Sequence, residues 1–419
     1  MRRSLAFIHA ADLHLGSPLK SLHASDPRIG QNLAQALWRA YDRLIAEAVR
    51  RKVDFVAISG DVLDDTRPSY SCVMHFIDGM QALCYAGIPV YLATGNHDRL
   101  DAWQQGFAPL PRNVTLFSGE QPGFAVFGRD GQALATIAGK GFSDAFCADD
   151  VLRMGSRSAR RATKADAAFH IALLHTGLDA DRRTCPVSPA QLLQADVDYW
   201  ALGHIHKRSC NDASNPRLAF PGCIQGRDIN EPGDCGCLLV NLVEGASNQI
   251  EFIPLSSISW ERVSVDASAM RSVAQVQSEI EAMLADVAGE CASDQLIARV
   301  SLTGRGPLHG VLSREQVRED LRERINNAGG AVFCDSIECR MVSVVDRDLL
   351  YDQGLFPAAL LSSMDALRGD SQALNNLIER EFASRMTECP QYCEADLGVL
   401  VDTAEELVLD LLAGDRRGW

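Results

Sequence analysis

The sequence predicts an α/β fold: a first α/β domain over residues 1–255, a smaller α/β unit over 256–345 and a mostly helical region over 346–419. Three observations predict it. Through the first domain, short apolar runs alternate with amphipathic stretches, and five of those runs stop where polar residues begin. Phe124–Ala138 and Leu218–Phe252 read as strands joined by Gly-, Asn- and Pro-containing turns, without helices between them. Beyond the Ser-rich stretch Pro254–Ser259, a second and shorter alternation of strand and helix begins.

Each element follows from its periodicity. Leu5–His9 is a short apolar run that ends just before Asp12 and His14, and its length fits a buried strand. From Gln31 to Arg51, Leu33, Leu37, Leu44, Ile45 and Val49 recur near helical spacing. Asp54–Ser59 is a second strand, ending in Gly60-Asp61; a helix over Ser71–Ala86 leads to Ile88–Ala93, which ends at Gly95-Asn96-His97-Asp98. Phe169–Leu174 ends at His175, and Asp198–Leu202 ends at Gly203-His204. Apolar runs bounded by Gly suit strands buried on both faces. In such architectures the strand ends converge on one rim, so residues distant in sequence line one crevice. In the smaller unit, Glu261–Val265, Gln295–Leu302 and Ala331–Val345 read as strands, with helices over Val273–Val287 and Arg314–Ala328. Ser371–Leu412 reads as helical, its apolar stripes formed by Leu374, Leu377, Ile378, Leu407, Leu411 and Leu412.

The composition narrows the class. With 47% apolar and 23% charged residues, the chain is expected to be folded and soluble. No apolar run approaches the length of a membrane span. The N-terminal Arg2-Arg3 and the few apolar residues after them are too short for a signal peptide. Thirteen dispersed cysteines then point to reduced thiols and a cytoplasmic location. Of the close pairs, neither Cys235 with Cys237 nor Cys389 with Cys393 makes a four-ligand zinc site. A net charge of −15 opposes binding to a polyanion. Arg153, Arg157, Arg160, Arg161 and Lys164, uninterrupted by an acid, are the local exception. They read either as a solvated loop or as a contact to DNA.

The clusters at the strand ends supply two Asp, one Asn and five His as candidate site residues. Asp12-Leu13-His14 places a carboxylate and an imidazole on one turn. Asp61, after a glycine, can approach two ions and bridge them; Asn96 adds an amide oxygen. His175, His204 and His206 add imidazoles, and the His-x-His spacing can direct two rings at neighbouring ions. Paired divalent metals clamp the attacking and leaving oxygens of a phosphate ester, so the clusters point to a two-metal phosphoesterase. Nitrogen and oxygen donors without thiolate suit manganese, iron or zinc.

In the order D-x-H, G-D-x-x-D, G-N-H-[DE], H and G-H-x-H, these blocks resemble the calcineurin-like metallophosphoesterase superfamily. The resemblance implies a first metal held by Asp12, His14, Asp61 and His206, and a second by Asp61, Asn96, His175 and His204. It makes His97 the residue that faces the scissile phosphate, with Asp98 orienting its ring and Asp64 supporting the site without ligating. An imidazole that titrates near neutrality can protonate a leaving alkoxide.

A narrower resemblance rests on the opening F-I-H-A-A-D-L-H-L-G-S-P-L and on Pro221-Gly222-Cys223-Ile224-Gln225-Gly226-Arg227, Asn230-Glu231 and Gly233. These look like DNA-repair exonucleases of the YhaO-like type, similar to the SbcD nuclease subunit of SbcCD. The chain departs from them at Cys223, Asp228 and Asp234. The resemblance implies a four-layer αββα sandwich with a smaller α/β capping domain and helical C-terminal segment. It also implies a manganese-dependent 3′-to-5′ DNA exonuclease with endonuclease action. The partners it implies are DNA and an SbcC-like coiled-coil ATPase docked on the C-terminal helices, with a homodimer as a further arrangement. The rival readings are a phosphodiesterase for a small nucleotide or phosphoprotein, and a non-catalytic scaffold.

Overall fold

The computed structural model describes residues 2–17, 27–64, 67–103, 109–117, 121–142, 153–180, 184–344, 347–370, 372–377, 380, 401–405 and 407–409. Twelve strands build two six-stranded sheets. They are β1 (Ser4–Ala10), β2 (Phe55–Ser59), β3 (Val90–Ala93), β4 (Val114–Phe117), β5 (Gly123–Arg129), β6 (Gln132–Gly139), β7 (Phe169–His175), β8 (Tyr199–Gly203), β9 (Ser209–Cys210), β10 (Leu218–Phe220), β11 (Gly236–Val243) and β12 (Gln249–Pro254). One sheet has the order β12-β11-β1-β2-β3-β4 and the other β5-β6-β7-β8-β10-β9. The centre of each is parallel, β1 to β4 in the first and β6-β7-β8-β10 in the second.

Alternation along the strands divides the core into layers. Phe7, Phe55, Ala57, Tyr91, Ile137, Ile171, Tyr199 and Val240 meet between the sheets. Phe7 stacks on Phe55 with centroids 4.6 Å apart and meets Tyr199 edge-on at 5.6 Å. Such pairs contribute about 1 kcal/mol beyond burial. The next residues along, Ile8, Val56, Ile58 and Leu92, face the opposite way onto α1 (Pro27–Arg51) and α2 (Tyr70–Tyr85). From α1 the stripe Ala40, Tyr41, Leu44, Ile45 and Ala48 packs there, whereas Val49 is exposed. Ser69 caps α2 by accepting the Cys72 N–H at 3.2 Å. On the second sheet's outer face, Ala172, Leu174, Trp200 and Leu202 pack with Met154 and Leu192. The helices there are α3 (Ser156–Thr163) and α4 (Pro189–Gln194). The four layers are those that the resemblance implies.

The basic run is not a loop. Arg157, Arg160 and Arg161 lie on α3 with Ala159 buried beneath them, and Lys164 caps it in the left-handed region at φ 55°. All five basic side chains are exposed; Arg160 pairs with Asp166 at 3.4 Å. The Ser-rich stretch is packed: Ser256, Ser257 and Ser259 are buried.

Three further strands, β13 (Ile258–Asp266), β14 (Gln295–Thr303) and β15 (Val332–Cys339), form a sheet in that order. The third ends before the expected Val345. The chain divides into two compact units. One takes Met1–Arg262, Asp286–Ala298 and Gly330–Phe333; the other takes Val263–Ala285, Arg299–Gly329 and Cys334–Trp419. In the second unit, α5 (Val273–Glu290) buries Val276, Ile280 and Leu284, and α6 (Glu315–Asn327) buries Leu321 and Ile325. Asn326 joins α6 to β15 through reciprocal bonds with the Cys334 backbone at 2.8 and 2.9 Å. Helices α7 (Arg347–Gln353) and α8 (Leu355–Gly369) follow. Of the C-terminal stripe, Leu374 is buried and Leu407 exposed; Ile378, Leu411 and Leu412 lie outside the described residues, as do Cys389 and Cys393. Among the described residues no helix is long and apolar enough to cross a membrane.

His9 is a packing residue between the sheets. Its Nε2–H donates to Leu202 O at 3.2 Å and its Nδ1 accepts the Tyr199 hydroxyl at 3.0 Å. Burial pushes its pKa down to about 3. The unfolded chain therefore takes up a proton here well before the folded one, so stability present above pH ~6.5 is lost as pH falls towards 3. At pH 4.5 the loss from this residue is about 2–3 kcal/mol. In urea denaturation, the difference in stability between pH 7 and pH 4.5 is expected to shrink by about that amount in His9→Asn.

Candidate metal centre

The polar clusters converge at the carboxyl ends of β1, β2, β3, β7 and β8. Backbone geometry at these strand ends is unusual. Asp12, His14, Asp61 and His204 all have positive φ, at 52°, 45°, 50° and 101°. Non-glycine residues are held there at a cost of about 1–3 kcal/mol each, and such strain gathers at functional sites. Interlocking bonds hold these turns: Asp12 N–H to Gly60 O at 3.1 Å, His14 N–H to Asp61 O at 2.9 Å, and His204 N–H to both Asp12 oxygens at 3.0 Å.

Asp61 sits in the middle of the group. Its Oδ2 lies 3.7 Å from His14 Nε2 and 3.4 Å from His175 Nε2, while its Oδ1 accepts the His97 N–H at 2.9 Å. On one side, His14 Nε2 and His206 Nε2 are 3.1 Å apart. On the other, Asn96 Oδ1 is 2.9 Å from His175 Nε2 and 3.1 Å from His204 Nδ1. Asp12, His14 and His206 offer atoms within 4.8 Å of one another, and so do Asp12, Asp61 and His175. All seven expected ligands are therefore brought together.

Three rings are anchored through the opposite nitrogen. The Nδ1–H of His14 donates to Asp64 Oδ1 at 2.8 Å, that of His206 to Glu231 Oε1 at 2.7 Å, and that of His175 to Ser59 O at 2.9 Å. This leaves each Nε2 lone pair directed at the centre. In the sequence Glu231 carries no sign of this role, because its bond to His206 spans 25 residues and has no periodic signal.

Asp98 does not orient His97. Its carboxylate accepts the N–H groups of Gly95 at 2.6 Å, Asp61 at 3.2 Å and Val62 at 2.9 Å, so it ties two of the strand-end turns together. Burial, reinforced by Asp61, pushes its pKa up to about 7. The His97 ring instead meets Asp64: its Nδ1 is 3.2 Å from the Asp64 carbonyl and 3.7 Å from Oδ1. His97 is 43% exposed, against 1–2% for the side chains of His14 and Asp61.

A family model described as calcineurin-like phosphoesterase matches residues 5–208, and one described as metallophosphoesterase YhaO, middle domain, matches residues 260–342. The uncharacterized metallophosphoesterase YhaO of Bacillus subtilis is 33% identical over 287 residues, which is 67% of this chain and 68% of that one. The chain belongs to the YhaO-like calcineurin-like metallophosphoesterases. The DNA double-strand break repair protein Mre11 of Aeropyrum pernix is 26% identical over 275 residues, 62% of this chain and 63% of that one. The chain thus spans less than two thirds of that Mre11.

The donor set of this metallophosphoesterase fits divalent metal ions. With Nδ1–H of His14 on Asp64 and that of His206 on Glu231, both Nε2 lone pairs point to one place, which a shared cation satisfies. His175 shows the same demand. Burial alone would lower its pKa, yet Asp61 and Asp12 raise it to about 9, so without a metal a proton does the work of the cation. Burial pushes Asp12 up to about 6, and His175 and His206 limit the rise.

Close approach depends on the glycine of Gly95-Asn96-His97. A Cβ on Gly95 would stand 2.1 Å from Asp61 Oδ1 and 2.4 Å from its backbone nitrogen. Gly95→Ala is expected to leave far-ultraviolet dichroism unchanged while weakening manganese binding more than about tenfold, read by calorimetry. Asp98→Ala strands three backbone N–H groups, two of them on Asp61 and Val62. Urea unfolding should show it to be about 3 kcal/mol or more less stable than the parent.

Proposed function

We propose that the protein is a two-metal phosphodiesterase that cleaves DNA, as a manganese-dependent 3′-to-5′ exonuclease with endonuclease action in DNA repair. The observation that carries the reading is the exposed His97 standing beside a cation-demanding donor set whose Asp12, His14, Asp61 and His175 are buried. The similarity to the repair protein Mre11 favours DNA as the substrate. The net charge of −15 opposes a polyanion overall, but the basic face of α3 relieves it locally and is the proposed contact with the phosphate backbone.

In this reading Asp12, His14, Asp61 and His206 hold one ion, and Asp61, Asn96, His175 and His204 hold the other. Bound metals would supply Lewis acidity on the phosphate oxygens and a water of lowered pKa. The protein's own residues do the rest. Asp61 sets the spacing of the two halves, since its carboxylate borders both. In its doubly protonated form His97 keeps its Nδ1–H on the Asp64 carbonyl and presents Nε2–H to the leaving oxygen, which takes that proton and leaves the ring neutral. Its ring stands 4.9 Å from that of His14, so the proton is handled beside the first ion's ligands. An SbcC-like coiled-coil ATPase docked on the C-terminal helices is the proposed partner, and cytoplasm the proposed location.

The test offers purified protein with manganese an end-labelled linear duplex, closed circular DNA and a small phosphodiester. Linear DNA is expected to shorten from its 3′ ends. His97→Ala should slow this roughly 100-fold or more while still binding metal. Turnover of the small ester with no effect on DNA, even with the ATPase added, would replace the nuclease by a small-substrate phosphodiesterase.

A further inference from the structure

We propose that Arg227 is a substrate-contacting residue that grips a non-bridging oxygen of the scissile phosphate, and that Glu231 is the positioning residue that holds it there. This rests on the phosphodiesterase reading. The guanidinium is tethered on two sides. Its Nη2 donates to Glu231 Oε1 at 2.9 Å, its Nε to Oε2 at 3.4 Å, and the Arg227 backbone N–H to Oε2 at 2.8 Å. Its Nη1 reaches Asp64 Oδ1 at 3.4 Å. Both carboxylates also anchor histidines of the centre: Glu231 holds His206 and Asp64 holds His14.

Position separates Arg227 from the buried donors. Its side chain is 21% exposed, as Asp64 is at 22% and His206 at 25%, whereas His175 and Asp12 are sealed. Asp64 lies against both Arg227 and His97, so the one carboxylate fixes a guanidinium and an imidazole at the mouth. Arg227 Nη2 is 3.1 Å from His206 Nδ1. A fixed positive charge this near to metal-binding histidines is repelled by the ions. An anion bound between them removes that conflict, and the planar fork of arginine suits phosphate oxygens.

The loop that carries Arg227 is preorganised. The Gly226 carbonyl accepts the Trp260 indole N–H and the Gln225 side-chain N–H, both at 2.9 Å. Gln225 Oε1 in turn accepts the Ser257 N–H at 2.9 Å. Gln225 and Trp260 have no exposure. A Cβ on Gly226 would come 2.6 Å from the Glu231 carbonyl, which locks the two ends of the loop against each other. Such a supporting frame holds a binding group in place before its ligand arrives.

The experiment compares Arg227→Met, Arg227→Lys and Glu231→Gln with the parent protein. It reads manganese binding by calorimetry, binding of inorganic phosphate to the manganese-loaded protein, and kcat and KM on DNA and a small phosphodiester. Arg227→Met should keep manganese affinity within about threefold yet lose roughly 10- to 100-fold in phosphate binding and in kcat/KM. Arg227→Lys should restore only part, since it lacks the fork. Glu231→Gln should lose both metal affinity, about 10-fold or more, and phosphate binding. Arg227→Met that binds phosphate like the parent, or that loses manganese affinity in step with Glu231→Gln, overturns the proposal. If the parent hydrolyses no phosphodiester but its phosphate binding depends on Arg227, the phosphodiesterase reading fails and the anion grip stands.

Discussion

The need to hold Asp12 and Asp61 side by side without solvent governs this structure. Two carboxylates in a low-dielectric setting repel each other, and burial disfavours their charged forms. The fold meets that need by surrounding them with imidazoles and with backbone N–H groups. His204 N–H bonds Asp12, His97 N–H bonds Asp61, and His175 lies against both carboxylates. What the pair of carboxylates attracts is positive charge, and the chemistry of the site follows from that.

Strain and tight packing are the means. Four site residues sit in the left-handed region although none is glycine, because each turn is held by bonds to another strand end rather than by its own preference. Asp98 is central to this. It acts on the backbone of Gly95, Asp61 and Val62, so a carboxylate next to the exposed His97 in sequence serves the buried floor in space. An outer set of acceptors, namely Asp64, Glu231 and the Ser59 carbonyl, fixes the ring orientations on which metal binding depends. Removing any of these would loosen the centre without touching a ligand.

Much of the first domain was legible because its signals are local. Buried parallel strands read as apolar runs, and α1 announces itself by Leu33, Leu37, Leu44 and Ile45, though Val49 of the same stripe is exposed. The seven donor residues were legible for a related reason: each follows a strand end, and parallel strands bring those ends to one rim. Other features lacked a local signal. The run from Arg153 to Lys164 has no apolar stripe beyond Ala159, so a helix was hidden behind its charge. Pro254–Ser259 has the composition of a linker, yet its serines are buried, with Ser256 Oγ accepting the Cys235 N–H and Ser259 Oγ donating to Asp234. The strand expected to reach Val345 ends as a regular strand at Cys339, although Arg340 and Val342 still donate to the Leu302 and Gly304 carbonyls.

By itself the sequence determined the α/β class, the order of the strands that reach the site, and the types of donor placed at their ends. Those depend on residue chemistry and on periods of two or four residues. Tertiary structure decided what each donor does with its second nitrogen or oxygen. It turned Asp98 away from His97, gave Asp64 to both His14 and His97, and set Glu231 between His206 and Arg227. These contacts join residues up to 50 apart in sequence, and no residue pattern encodes a partner that only folding brings into hydrogen-bond distance.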